Sequence, residues 1–272
     1  MASLLSTLKA LLRDIDLFTQ HAGGLKLRGY QLPVARAVVD SVINKRGLTI
    51  VVMFPRQSGK NELQAQLEGY LLMLHSQVGG EIVKASPTWT PQSLNAMRRL
   101  ERALGRNLLT RDRFRKEEGR IYRVGDGPDA ARIYFFSGEP QANVVGATAK
   151  TLLECDEAQD VQPAKWDKDF APMAASTNAT RVFWGTAWTA RTLLARELRA
   201  ARDLEKVDGV RRAFVVTADD VRTEVAEYGR FVDGQIARLG RGHPLVRTQY
   251  FAEEIDAEGG MFPPGRRALV QG

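Results

Sequence analysis

From about residue 24 onward, short runs of β-forming residues alternate with longer stretches of helical periodicity. This alternation is typical of a parallel sheet whose strands are joined by crossover helices. The best of the runs are apolar at nearly every position, as expected of strands that are covered on both faces. Six strands are predicted, over 48–53, 81–85, 131–137, 150–156, 181–186 and 212–216. We therefore predict an α/β fold, with a parallel sheet flanked by helices.

Helices are predicted between these strands, over 30–44, 60–74, 91–104 and 190–204. After residue 217 the chain is helical again: Asp219 and Asp220 open a helix that runs to about Leu239, and Pro244 opens another that ends near 258–260. These last helices predict a small lid. The expected organisation is an N-terminal amphipathic helix over 1–28, a core over 29–217, and a lid and linker over 218–272.

Composition narrows the classes of protein that this chain can belong to. The N-terminal leucines are interrupted by charges at helical intervals, and no run approaches the roughly 18 to 20 apolar residues of a membrane span. We therefore expect no membrane partner. Cys155 is the only cysteine, which excludes an intrachain disulfide and fits a reducing, cytosolic compartment, and the three histidines offer no zinc spacing. The formal charge of +7 favours polyanion partners such as nucleic acid.

One basic segment has two interpretations. Residues 98–123 carry ten basic and four acidic side chains. A solvated face would have this composition, and so would a surface that faces nucleic-acid phosphates.

The first predicted strand is followed by the loop F-P-R-Q-S-G-K-N and then by a helical run. In that context backbone N–H groups and a helix N-terminus cradle phosphates, and Lys60 would reach the β- and γ-phosphates. The predicted nucleotide-binding residues of this loop are Pro55, Arg56, Gln57, Ser58, Gly59, Lys60 and Asn61. The match to G-x-x-x-x-G-K-[ST] is incomplete, because Phe54 replaces the first glycine and Asn61 the hydroxyl residue. A Gly-Lys pair alone is also typical of a plain helix start.

Two adjacent carboxylates end the predicted strand 150–156. There Asp156 can hold magnesium (Mg²⁺), and Glu157 can polarise an attacking water. The 96 residues that separate Asp156 from Lys60 leave room for two intervening strands, so that the strands carrying the two sites can lie side by side. A third strand ends at Thr186, which could sense the γ-phosphate or could simply begin a turn.

Together these motifs resemble the ATPase domain of the large terminase subunit of tailed bacteriophages. The resemblance covers roughly residues 28–262 and is carried by R-Q-S-G-K ending at Lys60, L-L-E-C-D-E-A around Asp156, G-T-A around Thr186, and Tyr30-Gln31. It implies a P-loop NTPase core of the RecA-like, ASCE type. It also implies a motor that hydrolyses ATP to package double-stranded DNA into a procapsid in the host cytoplasm.

The resemblance assigns roles to single residues. It makes Arg56 the loop arginine, Lys60 the phosphate-binding lysine, Asp156 the Walker B aspartate, Glu157 the catalytic glutamate and Thr186 the coupling threonine. Gln31 matches the adenine-reading glutamine, although a Tyr-Gln pair can equally be a helix start. ATP and Mg²⁺ are the implied cofactors, and a homo-oligomeric ring, the portal protein and the small terminase subunit are the implied partners.

Two departures from the family pattern bear on mechanism. Asn61 stands where the family has Ser or Thr, and because an amide oxygen is a less usual Mg²⁺ ligand, slow hydrolysis is expected. The segment leading to Asp156 lacks the arginine that acts on the neighbouring subunit's ATP in some relatives, so no trans-acting arginine finger is identified. The family's nuclease domain would start near Met261, and no nuclease activity is expected of this chain.

Two other functions stay open from the sequence. Residues 85–88, A-S-P-T, look like an element of superfamily 2 helicases, but such enzymes need a second core, for which the residues after Trp188 are too few. The altered loop residues Phe54 and Asn61 would also suit a non-catalytic DNA-binding assembly module. ATP turnover stimulated by DNA separates a motor from such a module.

Overall fold

Eight strands form one mixed sheet in the computed structural model, which describes residues 2–144 and 146–255. The strands are β1 (Thr49–Met53), β2 (Gly80–Ser86), β3 (Phe114–Glu117), β4 (Ile121–Val124), β5 (Ala131–Ser137), β6 (Leu152–Cys155), β7 (Thr180–Gly185) and β8 (Ala213–Val215). Their order across the sheet is β3-β4-β5-β2-β6-β7-β1-β8. All six predicted strands are present, with bounds within two residues of the prediction, and they run parallel.

The sheet departs from the prediction at one edge. β3 and β4 form an antiparallel hairpin that pairs with β5, at the end of the basic segment 98–123, for which no strand is predicted. Four strands, not two, therefore lie between β1 and β6 along the chain. The expectation that β1 and β6 lie side by side is also wrong, because β7 lies between them.

The helices that cover the sheet are α1 (Ala2–Arg13), α2 (Ile15–Leu17), α3 (Leu32–Ile43), α4 (Lys60–Leu74), α5 (Leu94–Arg106), α6 (Pro163–Lys165), α7 (Leu193–Asp208), α8 (Ala218–Arg222), α9 (Ala226–Leu239) and α10 (Pro244–Phe251). Short π-helical turns continue α2 (Phe18–Ala22) and α6 (Trp166–Phe170), and one precedes α5 (Trp89–Ser93). The helix predicted from residue 219 to 239 is broken at 223–225, and the last helix ends at Phe251, because Ala252 adopts a left-handed conformation there.

Two apolar cores lie on opposite faces of the sheet. Alternate residues of β1 point to opposite faces, so Ile50 and Val52 belong to the core under α3, α4 and α5, whereas Val51 and Met53 belong to the core under α7. Phe18 of the N-terminal segment packs edge-on against Tyr70 of α4, which places that segment against the first core. Among the described residues, no helix is long and apolar enough to cross a membrane.

The carboxyl ends of β1, β6 and β7 meet at one edge of the sheet because these strands are parallel and adjacent. The predicted loop, carboxylates and threonine follow these three strand ends directly. The assignment of 218–272 as a lid stays a prediction, and residues 256–272, including the predicted nuclease boundary at Met261, lie outside the described residues.

Candidate nucleotide-binding site

The loop between β1 and α4 is held through its carbonyl groups by the residues that precede α3. The Tyr30 hydroxyl donates to the Ser58 carbonyl at 2.7 Å, and Gln31 Nε2 donates to the Gly59 carbonyl at 3.0 Å. The hydroxyl of Ser58 closes the loop on itself by donating to the carbonyl of Pro55 at 2.7 Å. The carbonyl groups of Pro55, Ser58 and Gly59 are therefore satisfied by protein.

Three N–H groups of the same loop have no such partners. None of the described residues accepts a hydrogen bond from the backbone N–H of Gln57, Ser58 or Gly59. Gly59 is the N-cap residue of α4, and no side chain caps that helix terminus. Free N–H groups at a helix N-terminus carry partial positive charge and bind anions such as phosphate. The geometry of this loop therefore suits an anion.

Two positions explain how the loop keeps its shape without the usual first glycine. Phe54, at that position, is fully buried and packs edge-on against Tyr30, with ring centroids 5.8 Å apart, so it extends the core instead of making a turn. Gly59 has φ of +91°, and a Cβ there would lie 2.8 Å from Gln31 Nε2. Only glycine fits the second position without displacing Gln31.

The side chain of Lys60 lies close to both predicted carboxylates, those of Asp156 and Glu157. Lys60 Nζ lies 2.6 Å from Glu157 Oε1 and 3.6 Å from Asp156 Oδ1. Glu157 holds a left-handed backbone conformation with φ of +47°, and its N–H donates to Asp156 Oδ1 at 3.0 Å. A non-glycine residue in this conformation is uncommon, and such conformations concentrate at functional sites.

The charges of this cluster stabilise one another. Burial would lower the pKa of Lys60, but the Glu157 and Asp156 carboxylates outweigh it and raise that pKa. Burial would raise the pKa of Asp156, but the ammonium groups of Lys60 and Lys84 outweigh it and lower that pKa. Lys60 is therefore a cation and Asp156 an anion at neutral pH.

A cavity of about 590 Å³ lies in front of the loop and these charges. Its lining is mostly polar and joins residues of α4 and α5 with residues that follow β1, β6 and β7. The lining residues are Pro55, Arg56, Gln57, Gly59, Lys60, Asn61, Asn95, Arg99, Glu157 and Thr186. Eight of the predicted site residues therefore border one space of a size suited to a small-molecule ligand.

No protein-family model matches the chain, and no curated protein matches it in sequence. Its structure does resemble solved structures. The ATPase domain of the large terminase of Thermus phage P74-26 superposes with a TM-score of 0.66 at 16% identity, covering 88% of this chain and 98% of that one. The HK97 bacteriophage large terminase superposes with a TM-score of 0.69 at 15% identity, covering 89% of this chain.

A large terminase from a thermophilic bacteriophage, solved in complex with ADP, superposes with a TM-score of 0.60 at 15% identity over 83% of this chain. The chain has the fold of a large terminase ATPase domain. It spans about half the length of the longer terminase chains that it matches, 55% for HK97 and 53% for the ADP complex. The predicted P-loop, RecA-like fold is thereby confirmed.

Within this terminase fold, Thr186 and Glu157 are joined by a residue that the sequence did not suggest. Gln159 Nε2 donates to Glu157 Oε2 at 2.8 Å, and Gln159 Oε1 accepts from the Thr186 N–H at 3.1 Å. The Thr186 hydroxyl donates to the carbonyl of Phe54 at 3.2 Å. One glutamine therefore links the end of β7 to the carboxylate after β6.

Three of the predicted residues lie at different positions relative to the cavity. Arg56 is exposed at its rim, and its backbone is held by Gln249, whose carbonyl accepts from the Arg56 N–H at 2.9 Å. Asn61 lines the cavity from the first turn of α4. Gln31 is buried behind the loop, where Oε1 accepts from the Arg28 N–H and Nε2 donates to Gly59. Both ends of its amide are used by protein here, and its adenine-reading role stays a prediction.

The oxygen atoms that the protein offers at this site suit a magnesium ion that takes most of its ligands from water and phosphate. Asp156 Oδ1 accepts from Gln64 Nε2 and from the Glu157 N–H, while no described residue donates a hydrogen bond to Oδ2. Mg²⁺ usually keeps several waters and binds one or two carboxylates together with phosphate oxygens. Asp156 Oδ2 and the amide of Asn61 fit that pattern. The described residues contain no cluster of three or more His, Cys, Asp or Glu side chains able to hold a metal alone.

Several residues near the site were not predicted from the sequence. Asn95 and Arg99 of α5 border the cavity, and Arg99 pairs with Glu62 of α4 at 3.6 Å. Behind Asp156 lies a buried polar cluster made of Gln64, Glu68, Lys84 and Glu154. Charged residues in the middle of apolar strands, as Lys84 and Glu154 are, were the available signal, because such side chains are almost never buried without partners.

Proposed function

We propose that this chain is the ATPase motor domain of a viral large terminase, which hydrolyses ATP to drive packaging of double-stranded DNA into a procapsid. The observation that supports this most directly is the meeting of Lys60 with Glu157 and Asp156 beside a loop whose geometry suits an anion. The terminase ATPase fold gives the arrangement its context.

The charge and position of each residue suggest its role in the proposed reaction. Lys60, Arg56 and the N–H groups of the loop hold the triphosphate, and Asp156 and Asn61 hold Mg²⁺. When bound, the metal neutralises charge that develops on the phosphates. Glu157 orients a water and accepts its proton, and Thr186 senses the γ-phosphate from the end of β7.

The ion pair between Lys60 and Glu157 suggests how binding prepares the site. A triphosphate competes with Glu157 for the Lys60 ammonium, since both are anionic acceptors. When Lys60 turns to the phosphates, Glu157 Oε1 loses its donor and becomes free to accept from water. Oε2 keeps its hydrogen bond from Gln159, which holds the carboxylate in place.

The DNA part of the proposal is supported by one face of α5. Arg98, Arg102 and Arg106 are exposed, stand four residues apart, and pair with no described acidic side chain. At about 1.5 Å of rise per residue, three such arginines form a stripe about 12 Å long. Unpaired arginines in a row suit the phosphates of double-stranded DNA, which release counterions when neutralised.

The remaining partners are part of the same proposal and come from the terminase resemblance. They are other copies of this chain in a homo-oligomeric ring, the portal protein and the small terminase subunit, acting in the host cytoplasm.

The test is ATP turnover by the purified chain, measured with and without Mg²⁺ and with and without linear double-stranded DNA. A motor hydrolyses ATP only with Mg²⁺ and faster with DNA. Binding of ATP and DNA without Mg²⁺-dependent hydrolysis would contradict the proposal and favour a non-catalytic DNA-binding assembly module.

A further inference from the structure

A buried chain of hydrogen bonds runs from Asp156 away from the candidate site. Gln64 Nε2 donates to Asp156 Oδ1 at 2.9 Å, and Gln64 Oε1 accepts from Lys84 Nζ at 2.5 Å. Lys84 Nζ also donates to Glu68 Oε1 at 2.5 Å. Gln64, Lys84 and Glu68 are each no more than 2% exposed. These contacts are therefore shielded from water.

The orientation of the Gln64 amide is fixed by its two neighbours. A lysine ammonium has donors only, so the amide atom beside Lys84 must be the oxygen. An ionised carboxylate has acceptors only, so the amide atom beside Asp156 must be the nitrogen. A flipped amide would place its NH₂ group beside the Lys84 ammonium and its oxygen beside the Asp156 carboxylate. Gln64 therefore donates to Asp156 in a single, enforced direction.

Lys84 is itself held firmly in place. It lies on β2 directly opposite Glu154 of β6, in the register of the parallel pair, and forms its ion pair with Glu68 of α4. Its backbone is held by β2 and its ammonium by Glu68 of α4, so the donor that orients Gln64 is fixed at both ends. Breaking one side of a buried ion pair leaves the other charge uncompensated, which costs more than the pair itself contributes.

We propose that Gln64 is a positioning residue for the metal site, and that Lys84 sets its orientation. By holding Oδ1 of Asp156 together with the Glu157 N–H, Gln64 would leave Oδ2, which accepts from no described residue, as the oxygen available to Mg²⁺. The proposal rests on the proposed function, since it assigns a task to residues behind the same nucleotide site. Gln64 contacts neither nucleotide nor metal and acts only through Asp156.

The experiment compares Gln64→Met with Gln66→Met, using Mn²⁺ as the probe for the Mg²⁺ site. Gln66 lies on the same helix, is also buried, and donates to Glu62 Oε1 instead of to Asp156, so it is a matched control. Mn²⁺ affinity in the presence of ATPγS is measured by electron paramagnetic resonance, and ATPγS affinity is measured separately in EDTA. Thermal unfolding reports whether each variant is folded.

Gln64→Met is expected to weaken Mn²⁺ binding by about 10- to 100-fold, as loss of a partner behind a metal ligand usually does. Metal-free ATPγS binding should stay within about twofold of the parent, and Gln66→Met should match the parent in both. A purely structural role would lower both affinities together. Equal Mn²⁺ affinity in Gln64→Met and the parent would overturn the inference.

A second variant keeps the test decisive if Gln64→Met does not fold. Lys84→Met combined with Glu68→Leu removes the charge pair as a pair, a replacement that buried pairs often tolerate. Gln64 is then present without its orienting donor, and a smaller loss of Mn²⁺ affinity is expected; no loss would overturn the role of Lys84. A parent chain that binds no Mn²⁺ with ATPγS would overturn the nucleotide site itself, which distinguishes that failure from this one.

Discussion

Lys60 and Glu157 form an ion pair of 2.6 Å that joins the first residue of α4 to the residue after the Asp156 carboxylate. The two residues are 97 positions apart in the chain, and the parallel strands β1, β7 and β6 bring them to one edge of the sheet. The Lys60 ammonium occupies Oε1 of the proposed base. In the proposed function, nucleotide binding and activation of Glu157 would be linked through this single ammonium group.

Glu157→Gln is expected to abolish most hydrolysis while leaving nucleotide binding intact. The amide fills the same space and can still accept from Lys60, but it cannot take a proton from water. Loss of a general base typically costs about 10² to 10⁴ in rate. Steady-state ATP turnover and ATPγS affinity are the measurements.

The control for this substitution is Glu118→Gln, in the exposed turn between β3 and β4. It removes the same charge far from the cavity and should leave turnover unchanged. Hydrolysis by Glu157→Gln at the parent's rate would show that another group activates the water.

Gly185→Ala is expected to lower turnover by displacing Gln159. A Cβ on Gly185 would lie 2.4 Å from Gln159 Oε1 and 2.6 Å from Leu194 Cδ2, so one of these side chains must move. Overpacking of this kind typically costs about 1 to 3 kcal/mol of stability. Because Gln159 holds Glu157, a misplaced carboxylate should also lower kcat by about 10- to 100-fold.

Gly234→Ala, on α9, is the matched control because a Cβ there meets nothing within 4 Å. Alanine in a helix interior should stabilise that variant by about 0.5 to 1 kcal/mol with no change in kcat. A Gly185→Ala variant that loses stability but keeps the parent's kcat would contradict the prediction that this substitution misplaces Glu157 through Gln159.

Glu154→Gln is expected to stabilise the protein increasingly as the pH rises. Burial and the nearby Glu68 carboxylate raise the pKa of Glu154 well above its ordinary value of 4.5. A carboxyl group whose pKa is raised on folding costs stability as pH climbs from the unfolded value toward the folded one. Glutamine avoids this cost and can still accept from Trp184 Nε1, as Glu154 does at 2.9 Å.

The measurement is the difference in Tm between Glu154→Gln and the parent, taken without nucleotide at several pH values. The Tm values of the two proteins should be similar near pH ~4, where Glu154 is protonated in the folded chain and largely protonated in the unfolded chain. The Tm values should then diverge as the pH rises to about 8. A difference that stays constant or shrinks with rising pH would contradict a raised pKa of Glu154 in the folded protein.

The strong apolar periodicity of this chain made most of the sheet predictable. Six parallel strands, the loop between β1 and α4 and the pair Asp156-Glu157 follow from patterns that a single segment carries. The hairpin of β3 and β4 was missed because β3 is an edge strand with the sequence F-R-K-E, which lacks the continuous apolar run of a strand covered on both faces.

The polar residues behind the site were missed for a different reason. Lys84 and Glu154 are partners only because β2 pairs with β6, and a single sequence does not reveal which strands are neighbours. Gln64 and Gln159 form amide hydrogen bonds to Asp156 and Glu157. No sequence motif or residue spacing indicates such contacts. The order of the sheet, with β7 between β1 and β6, was equally beyond local patterns.

Replacing Arg98, Arg102 and Arg106 together by glutamine is expected to weaken DNA binding and to remove the stimulation of ATP turnover by DNA. Each phosphate contact contributes about −0.9 to the slope of log K against log salt concentration, so loss of three contacts should reduce the slope by about 2.7. Basal turnover should persist, because none of the three arginines lines the cavity. Fluorescence anisotropy with labelled duplex DNA across a salt series gives the slope.

The matched control replaces three exposed cations of α7 by glutamine: Arg199, Arg202 and Lys206. Two of them already pair with acidic residues, Arg199 with Glu254 and Lys206 with Asp203, so they have less charge to offer a polyanion. This variant has the same net charge as the α5 variant, and it should keep the parent's salt slope. Equal losses in both variants would mean that DNA responds to the net charge of the domain, and that the α5 stripe is a solvated face.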